Sequence, residues 1–95
     1  MKFLVQIDVR LPGKLTDAER AELLERELER GRELVDAGVI WAIWRIPGAL
    51  RNVGVWEAAD ATELHEHLTS LPVFRWVTTE VTPLADHPLQ PFLPR

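Results

Sequence analysis

The segment VIWAIWRI, residues 39–46, is apolar at nearly every position and rich in β-branched and aromatic side chains. Such a run is typical of a β-strand that is covered on both faces. Side chains alternate along a strand, so the two predicted faces are Trp41 with Ile43, and Ile40 with Ala42, Trp44 and Ile46. One layer of helices covers only one face of a sheet. The segment therefore requires a second cover, and another copy of the chain is the simplest one.

The rest of the chain predicts the element order β-α-β-β-α-β. Residues 2–10 alternate between apolar and polar side chains, as a half-buried strand does. Thr16 and Glu19 form a capping-box signature, and the apolar spacing then continues to Ala37 before Gly38 closes a long helix. A third strand at 52–57, a short helix at 61–69 and a fourth strand at 74–82 follow. This order predicts an α+β, ferredoxin-like fold with a four-stranded antiparallel sheet and both helices on one face.

Length predicts a single domain, residues 1–95, built around one core. Residues 83–95, PLADHPLQPFLPR, contain four of the seven prolines and are predicted to be a C-terminal arm without regular structure. The arm is too apolar for a solvated linker. We expect it to pack over the sheet or over a neighbouring chain through Leu84, Leu89, Phe92 and Leu93.

Composition excludes several classes of function. The net charge is -4 and no segment concentrates basic residues, so a nucleic-acid partner is not expected. The chain contains no cysteine, which excludes disulfides and thiolate chemistry and suits a cytoplasmic protein. The first ten residues predict a strand rather than a signal peptide. No apolar run approaches the roughly 20 residues of a membrane span, so no membrane partner is expected either.

One carboxylate falls on the apolar side of the predicted first helix. At about 100° per residue, Glu27 lies in one arc with Leu23, Leu24, Leu28, Gly31, Leu34 and Val35. Two interpretations stay open. Glu27 sits at the edge of the arc and reaches solvent or pairs with Arg30, or it faces a pocket where desolvation raises its pKa toward that of a general base. Arg20, in the same arc, is either its counter-ion or a side chain that extends to solvent.

A second cluster lies at the turn between the second and third strands. We expect Arg45 to share a face with Trp41 and Ile43, and Asn52 to open the next strand across the turn. One cation and one amide would then stand at the mouth of an aromatic-walled pocket suited to a ligand with a carboxylate. The alternative is that the tryptophans belong to the core and Arg45 is a charge at a strand end.

The remaining motifs narrow the chemistry further. His65 and His67 diverge by about 200° on a helix, so we predict no metal site. His87 in the arm is either a loop residue or a lid over the pocket. The spacing suggests no phosphate loop, nucleophile elbow or catalytic triad. A carboxylate, an arginine and an amide suffice for proton transfer next to a carbonyl group, and for little else without a cofactor.

These features together resemble the muconolactone Δ-isomerase family. The resemblance runs from Leu11 to about Pro88. It is carried by the LP after the first strand, the helix with an inward Glu27, GVIWAIWRIPG, Asn52, LHEHLTSLPVF and HPL.

The resemblance implies a ferredoxin-like subunit that forms dimers and then a homodecamer, with active sites between subunits. It also implies the cofactor-free conversion of muconolactone to 3-oxoadipate enol-lactone in aromatic catabolism. Glu27 matches the family's helix-borne glutamate, which would shuttle the proton. Arg45 and Asn52 would hold the carboxylate and lactone oxygens of the substrate. We expect Trp41, Trp44 and His87 to complete the substrate site.

Four positions depart from the family pattern and make the predicted pocket more apolar. Leu28 and Leu24 stand where the family commonly has basic residues, and Ala42 and Leu50 where it usually has a histidine and a tyrosine. Such changes fit another lactone, a chlorinated analogue or a bulkier enolisable substrate. The alternatives on the same scaffold are a cofactor-free monooxygenase or cyclase with an apolar aromatic substrate, and a ligand-binding protein without activity.

Overall fold

The computed structural model describes residues 1–94, and the predicted ferredoxin-like α+β architecture is confirmed. The regular elements are β1 (Lys2–Val9), α1 (Asp17–Asp36), β2 (Ile40–Ile46), β3 (Arg51–Glu57), α2 (Ala61–Thr69) and β4 (Val77–Leu84). Short 3-10 turns lie at Phe74–Trp76 and Gln90–Phe92. No helix within these residues is long and apolar enough to cross a membrane.

Both ends of α1 are fixed by the residues that the sequence indicates. The Thr16 hydroxyl accepts the backbone N–H of Glu19, and the Glu19 carboxylate accepts that of Thr16, which completes the capping box. At the other end Gly38 has a left-handed φ of 77°. Its N–H donates to Val35, and the N–H of Val39 donates to Leu34, in the pattern of a Schellman motif. These bonds fix the direction in which the chain leaves α1 and enters β2.

The four strands lie in the order β2-β3-β1-β4 and all neighbours are antiparallel. Both helices cover the face of β1 that carries Phe3, Val5 and Ile7. Trp56 of β3 is paired with Phe3 and is only 1% exposed, which places it at the centre of this layer. The buried core consists of Phe3, Val5, Ile7, Leu34, Val39, Ile40, Trp56, Ala58, Leu64, Leu68 and Leu71.

A β-bulge in β2 corrects the predicted faces of that strand. Ile40 is opposite Trp56 but Ala42 is opposite Val55, so Trp41 is an extra residue in β2. Beyond the bulge the alternation is inverted. Ile40, Ile43 and Arg45 therefore lie on the helix-covered face, whereas Ala42, Trp44 and Ile46 lie on the other one.

The second face of the sheet is uncovered in the single chain. Trp44 is 62% exposed there. Its apolar neighbours on the same face are half-buried, and they are Leu4, Ala42, Ile46, Val53 and Val55.

The fourth strand differs from its predicted position. Residues 74–76 form a 3-10 turn, and β4 extends through Pro83 to Leu84. Proline is tolerated because β4 is an edge strand, where a missing N–H costs no hydrogen bond to a further strand. The predicted arm therefore begins after Leu84, and it contains one 3-10 turn at Gln90–Phe92.

Candidate active site

The inward line of α1 runs through Glu27. In the central part of α1, the half-buried or buried residues are Leu23, Leu24, Glu27, Arg30, Gly31 and Leu34. The prediction that Leu28 and Val35 belong to this line is wrong, since they are 68% and 50% exposed. The helix is rotated so that Glu27 lies at the middle of the stripe instead of near its edge.

Glu27 contacts a backbone amide and no cation within residues 1–94. The Val73 N–H donates to its Oε1 over 3.3 Å. Arg30 instead directs its guanidinium to the Ser70 hydroxyl at 3.0 Å and to Glu33 at 3.5 Å. Arg20 is exposed to solvent and takes part in none of the ion pairs of these residues. Of the two interpretations of Glu27, the structure therefore favours a carboxylate that faces a pocket.

Burial raises the pKa of the Glu27 carboxyl above the ordinary glutamate value, because it removes water from the charged form. The hydrogen bond from Val73 acts in the opposite direction but is the weaker of the two effects. A carboxylate of this kind is a stronger base than a solvated one and stays accessible to a ligand.

The carboxylate lies in a pocket of about 90 Å³ between α1 and the sheet. Aliphatic side chains form most of the wall, and three polar side chains interrupt it. The lining residues are Ile7, Val9, Leu24, Glu27, Arg45, Leu50, Asn52 and Val73. The structure thus places Glu27, Arg45 and Asn52 in one cavity. Leu24 and Leu50, two of the four departures, are apolar parts of this lining. The expectation is wrong for Leu28, which is exposed, and for Ala42, which lies on the other face of the sheet.

Arg45 and Asn52 reach the pocket from two neighbouring strands of the sheet. They are direct cross-strand partners of β2 and β3. Nη1 of Arg45 donates to the carbonyl oxygen of Arg51 over 3.4 Å, while the guanidinium has further N–H groups to offer a ligand. Oδ1 of Asn52 is buried and has no hydrogen-bond partner among the described residues. A buried polar group in this state is costly, and this oxygen is free to accept a hydrogen bond from a ligand or a water molecule.

The two tryptophans lie elsewhere. Trp44 points from the sheet face opposite to Glu27. Trp41, at the bulge, donates its indole N–H to the carbonyl of Gly38 at 2.7 Å and has the ammonium of Lys2 4.5 Å from its ring. Neither lines the pocket of its own chain. The expectation that Arg45 shares a face with Trp41 is therefore wrong, because the bulge separates them.

His87 also stands away from this pocket in the single chain. It is exposed, and its Nδ1 accepts the N–H of Leu89 over 3.0 Å. A role for His87 as a lid remains a prediction. No cluster of three or more His, Asp or Glu side chains able to hold a metal ion occurs between residues 1 and 94.

Ile7, Val9 and Val73 line the pocket, and the sequence did not predict this role for them. The period-2 pattern of β1 contained the signal for Ile7 and Val9, since that face of the strand meets the helices. Val73 contributes a backbone N–H to Glu27, and no side-chain pattern reveals such a contact. Together the pocket offers a desolvated base, a cation and an amide, a set that is suited to moving a proton on an anionic, enolisable ligand.

Comparison with known proteins agrees with this chemistry. The family model of muconolactone delta-isomerase matches residues 1–90. The Muconolactone Delta-isomerase of Rhodococcus opacus is 36% identical over 85 residues, which cover 90% of this chain and 91% of that protein. Muconolactone Delta-isomerase 1 of Acinetobacter lwoffii is 35% identical and covers 93% of this chain and 92% of its own.

Two solved structures share the fold of this chain. A crystal structure of muconolactone isomerase superposes with a TM-score of 0.85 at 33% identity, covering 93% of this chain and 92% of the other. A 5-chloro-2-hydroxyhydroquinone dehydrochlorinase from Burkholderia phenoliruptrix superposes with a TM-score of 0.70, over 92% of this chain and 96% of the other. It is 19% identical and shares the fold alone.

Proposed function

The chain belongs to the muconolactone Δ-isomerase family, and on this premise we propose that it converts muconolactone, or a closely related unsaturated lactone, to the enol-lactone. The reaction needs no cofactor and belongs to the breakdown of aromatic compounds in the cytoplasm. The observation that carries the proposal is the desolvated Glu27 carboxylate in one pocket with Arg45 and Asn52.

The chemistry moves one proton and leaves the composition of the substrate unchanged. Glu27 removes the proton from the ring carbon beside the double bond. The electron pair passes through the double bond to the lactone carbonyl and forms a dienolate. The protonated Glu27 then returns the proton to the ring carbon next to the carbonyl. One carboxylate serves as base and acid in turn, so its pKa has to lie closer to neutrality than that of a solvated glutamate.

The other two polar groups bind and stabilise the substrate. The free N–H groups of the Arg45 guanidinium pair with the substrate carboxylate. The Asn52 amide donates to the lactone oxygen on which charge develops, and such donors are worth most in a pocket without bulk water. The aliphatic side chains around them, Leu24 and Leu50 among them, reduce the amount of water next to the carboxylate.

The assembly is the second part of this proposal. The uncovered sheet face with Trp44 and its apolar neighbours packs against the same face of a second copy, which gives a dimer and supports a larger ring such as a decamer. The support is the set of exposed and half-buried apolar side chains on this face in the single chain.

The experiment is to incubate the protein with muconolactone in deuterated buffer and to follow the ring protons by NMR. Formation of the enol-lactone far above the rate of the blank supports the proposal. Exchange of ring protons for deuterium without net isomerisation indicates a working base and a different lactone as substrate. Tight binding without exchange would overturn the proposed activity and favour a ligand-binding protein.

A further inference from the structure

The segment between α2 and β4 contains a type I β-turn at residues 71–74. Pro72 occupies its second position, and Val73 follows with φ -90° and ψ 4°. The N–H of Phe74 closes the turn by donating to the carbonyl of Leu71 over 3.0 Å. The closing bond of a type I turn does not use the N–H of the third residue. That group belongs to Val73 here and is available for another partner.

The turn is held firmly at both ends. The N–H of Leu71 donates to Leu68 at 3.2 Å, and the carbonyl of Val73 accepts from Trp76 at 2.9 Å. The side chains of Leu71 and Val73 are 5% and 1% exposed, so the turn is anchored in the core. The orientation of the turn is therefore fixed by its packing in the core and does not depend on a ligand in the pocket.

The free N–H of this turn points at the carboxylate of α1. The Val73 N–H donates to Oε1 of Glu27 across 46 residues of sequence. Within residues 1–94, this is the hydrogen bond that the Glu27 carboxylate accepts. A side chain held at one carboxylate oxygen presents the other in a fixed direction.

We propose that the 71–74 turn is the positioning element of the proton shuttle: the Val73 N–H holds Oε1 of Glu27, and Oε2 is the oxygen that takes and returns the proton. The proposal rests on the assignment of Glu27 as the base. Val73 is a positioning residue, since it acts through Glu27 and not on the substrate.

The contact also bears on the pKa of the base. Burial raises the pKa of Glu27, and the N–H of Val73 lowers it by stabilising the charged form. The other charged side chain that lines the pocket is Arg45 of β2. The remaining lining groups are the amide of Asn52 on β3 and aliphatic side chains from β1, α1 and the loops. Removing the Val73 N–H should therefore raise the pKa of Glu27.

The test replaces the N–H of Val73 by an ester oxygen, using the α-hydroxy analogue of valine, so that the side chain is retained. Proline is unsuitable because it is disfavoured at this position of a type I turn. The matched control is the same change at Ala59, whose N–H donates to the Glu63 carboxylate outside the pocket. Each protein is titrated through the ¹³C signal of the Glu27 carboxyl without substrate, and its pH–rate profile is measured.

The ester at position 73 should move the Glu27 titration and the acidic limb of the profile to higher pH. It should lower kcat by roughly tenfold or more, with a smaller change in KM. The ester at position 59 should alter neither. An unmoved Glu27 titration together with an unchanged kcat in the folded 73 ester would overturn the proposal.

A second measurement avoids any question of folding. In the unmodified protein the amide signal of Val73 should titrate with the midpoint of Glu27, and in Glu27→Gln it should not. A Val73 amide signal that does not change with the titration of Glu27 would show that the contact is absent, and this would overturn the proposal. Because this readout needs no turnover, a titrating amide in a protein without lactone isomerisation would leave the contact standing and refute the proposed function alone.

Discussion

Arg45 of β2 and Asn52 of β3 are direct cross-strand partners on the sheet face that Glu27 overlooks. Their separation is set by the register of the two strands, so a cation and an amide are presented at a fixed offset. The carboxylate approaches from α1, on the opposite wall. In the proposed reaction, the sheet would hold the anionic end of a ligand between them while the base acts from the helix.

The cation in this arrangement should govern binding more than chemistry. We expect Arg45→Gln to raise KM for an anionic lactone by about tenfold, since a hydrogen bond to a charged group contributes about 1.5–3 kcal/mol and Arg45 is partly solvated. Steady-state kinetics on both proteins give the comparison. Arg32→Gln, an equal change of charge on the exposed side of α1, should leave KM unchanged. An equal rise of KM in both variants would mean that net charge, not the site, attracts the substrate.

The half-buried Glu27 carboxylate should reduce stability at neutral pH. The pKa of Glu27 is raised on folding, so between the unfolded and folded values the native chain binds more protons, and stability falls as pH rises. Glu27→Gln removes this cost and can still accept the Val73 N–H. We expect the variant to be the more stable protein at about pH 7 and the difference to close near about pH 4. Urea unfolding at the two pH values tests this. A variant that is less stable at neutral pH would contradict this, because the Glu27 carboxylate would then stabilise the folded chain.

Gly54 of β3 is the cross-strand partner of Ile43 and lies against the backbone of β2 just after the bulge. A Cβ on Gly54 would collide with the backbone carbonyl oxygen of Ala42. We expect Gly54→Ala to lower the free energy of unfolding by about 1–3 kcal/mol, as overpacked sites do. Gly31→Ala on α1 is the matched control, because its Cβ meets no atom within 4 Å. It should be neutral or stabilise by up to about 1 kcal/mol. Unfolding must be measured at equal protein concentration, since assembly adds to stability. Equal effects of the two substitutions would contradict the packing argument.

The uncovered sheet face should be an interface between copies. We expect Trp44→Asp to shift the protein toward monomer in sedimentation velocity at concentrations where the unchanged chain is assembled. A charge on a desolvated apolar face costs several kcal/mol unless it is paired. Leu28→Asp, at an exposed position of α1 among charged side chains, should leave the assembly intact. An assembled Trp44→Asp protein would place the interface elsewhere.

Much of the fold and part of the site could be predicted from the sequence. The caps of α1 follow from Thr16, Glu19 and Gly38, because capping chemistry is local. The helical period places Glu27 within the apolar arc, but it leaves open whether the carboxylate reaches solvent or faces a pocket. The rotation of the helix that exposes Leu28 could not be predicted, because leucines spread over a wide arc are compatible with several rotations. Packing against the sheet selects one of them.

The bulge and the Val73 contact lay beyond sequence reasoning for different reasons. A bulge inserts one residue into one strand, so its effect on the faces of Trp41 and Arg45 appears only when the strands are paired. The Val73 contact uses a backbone N–H, which every non-proline residue has. Only the turn geometry decides where that group points.

The most direct test of the account is the rate of lactone isomerisation by Glu27→Gln, followed by NMR in deuterated buffer beside the unchanged protein and Glu22→Gln. Glu22 is exposed on the same helix and controls for the loss of one negative charge. We predict that Glu27→Gln lowers the rate by about 10²–10⁴-fold, the usual contribution of a general acid–base, while Glu22→Gln keeps it. A Glu27→Gln protein that isomerises the lactone within a few-fold of the unchanged rate would contradict the assignment of Glu27 as the proton shuttle.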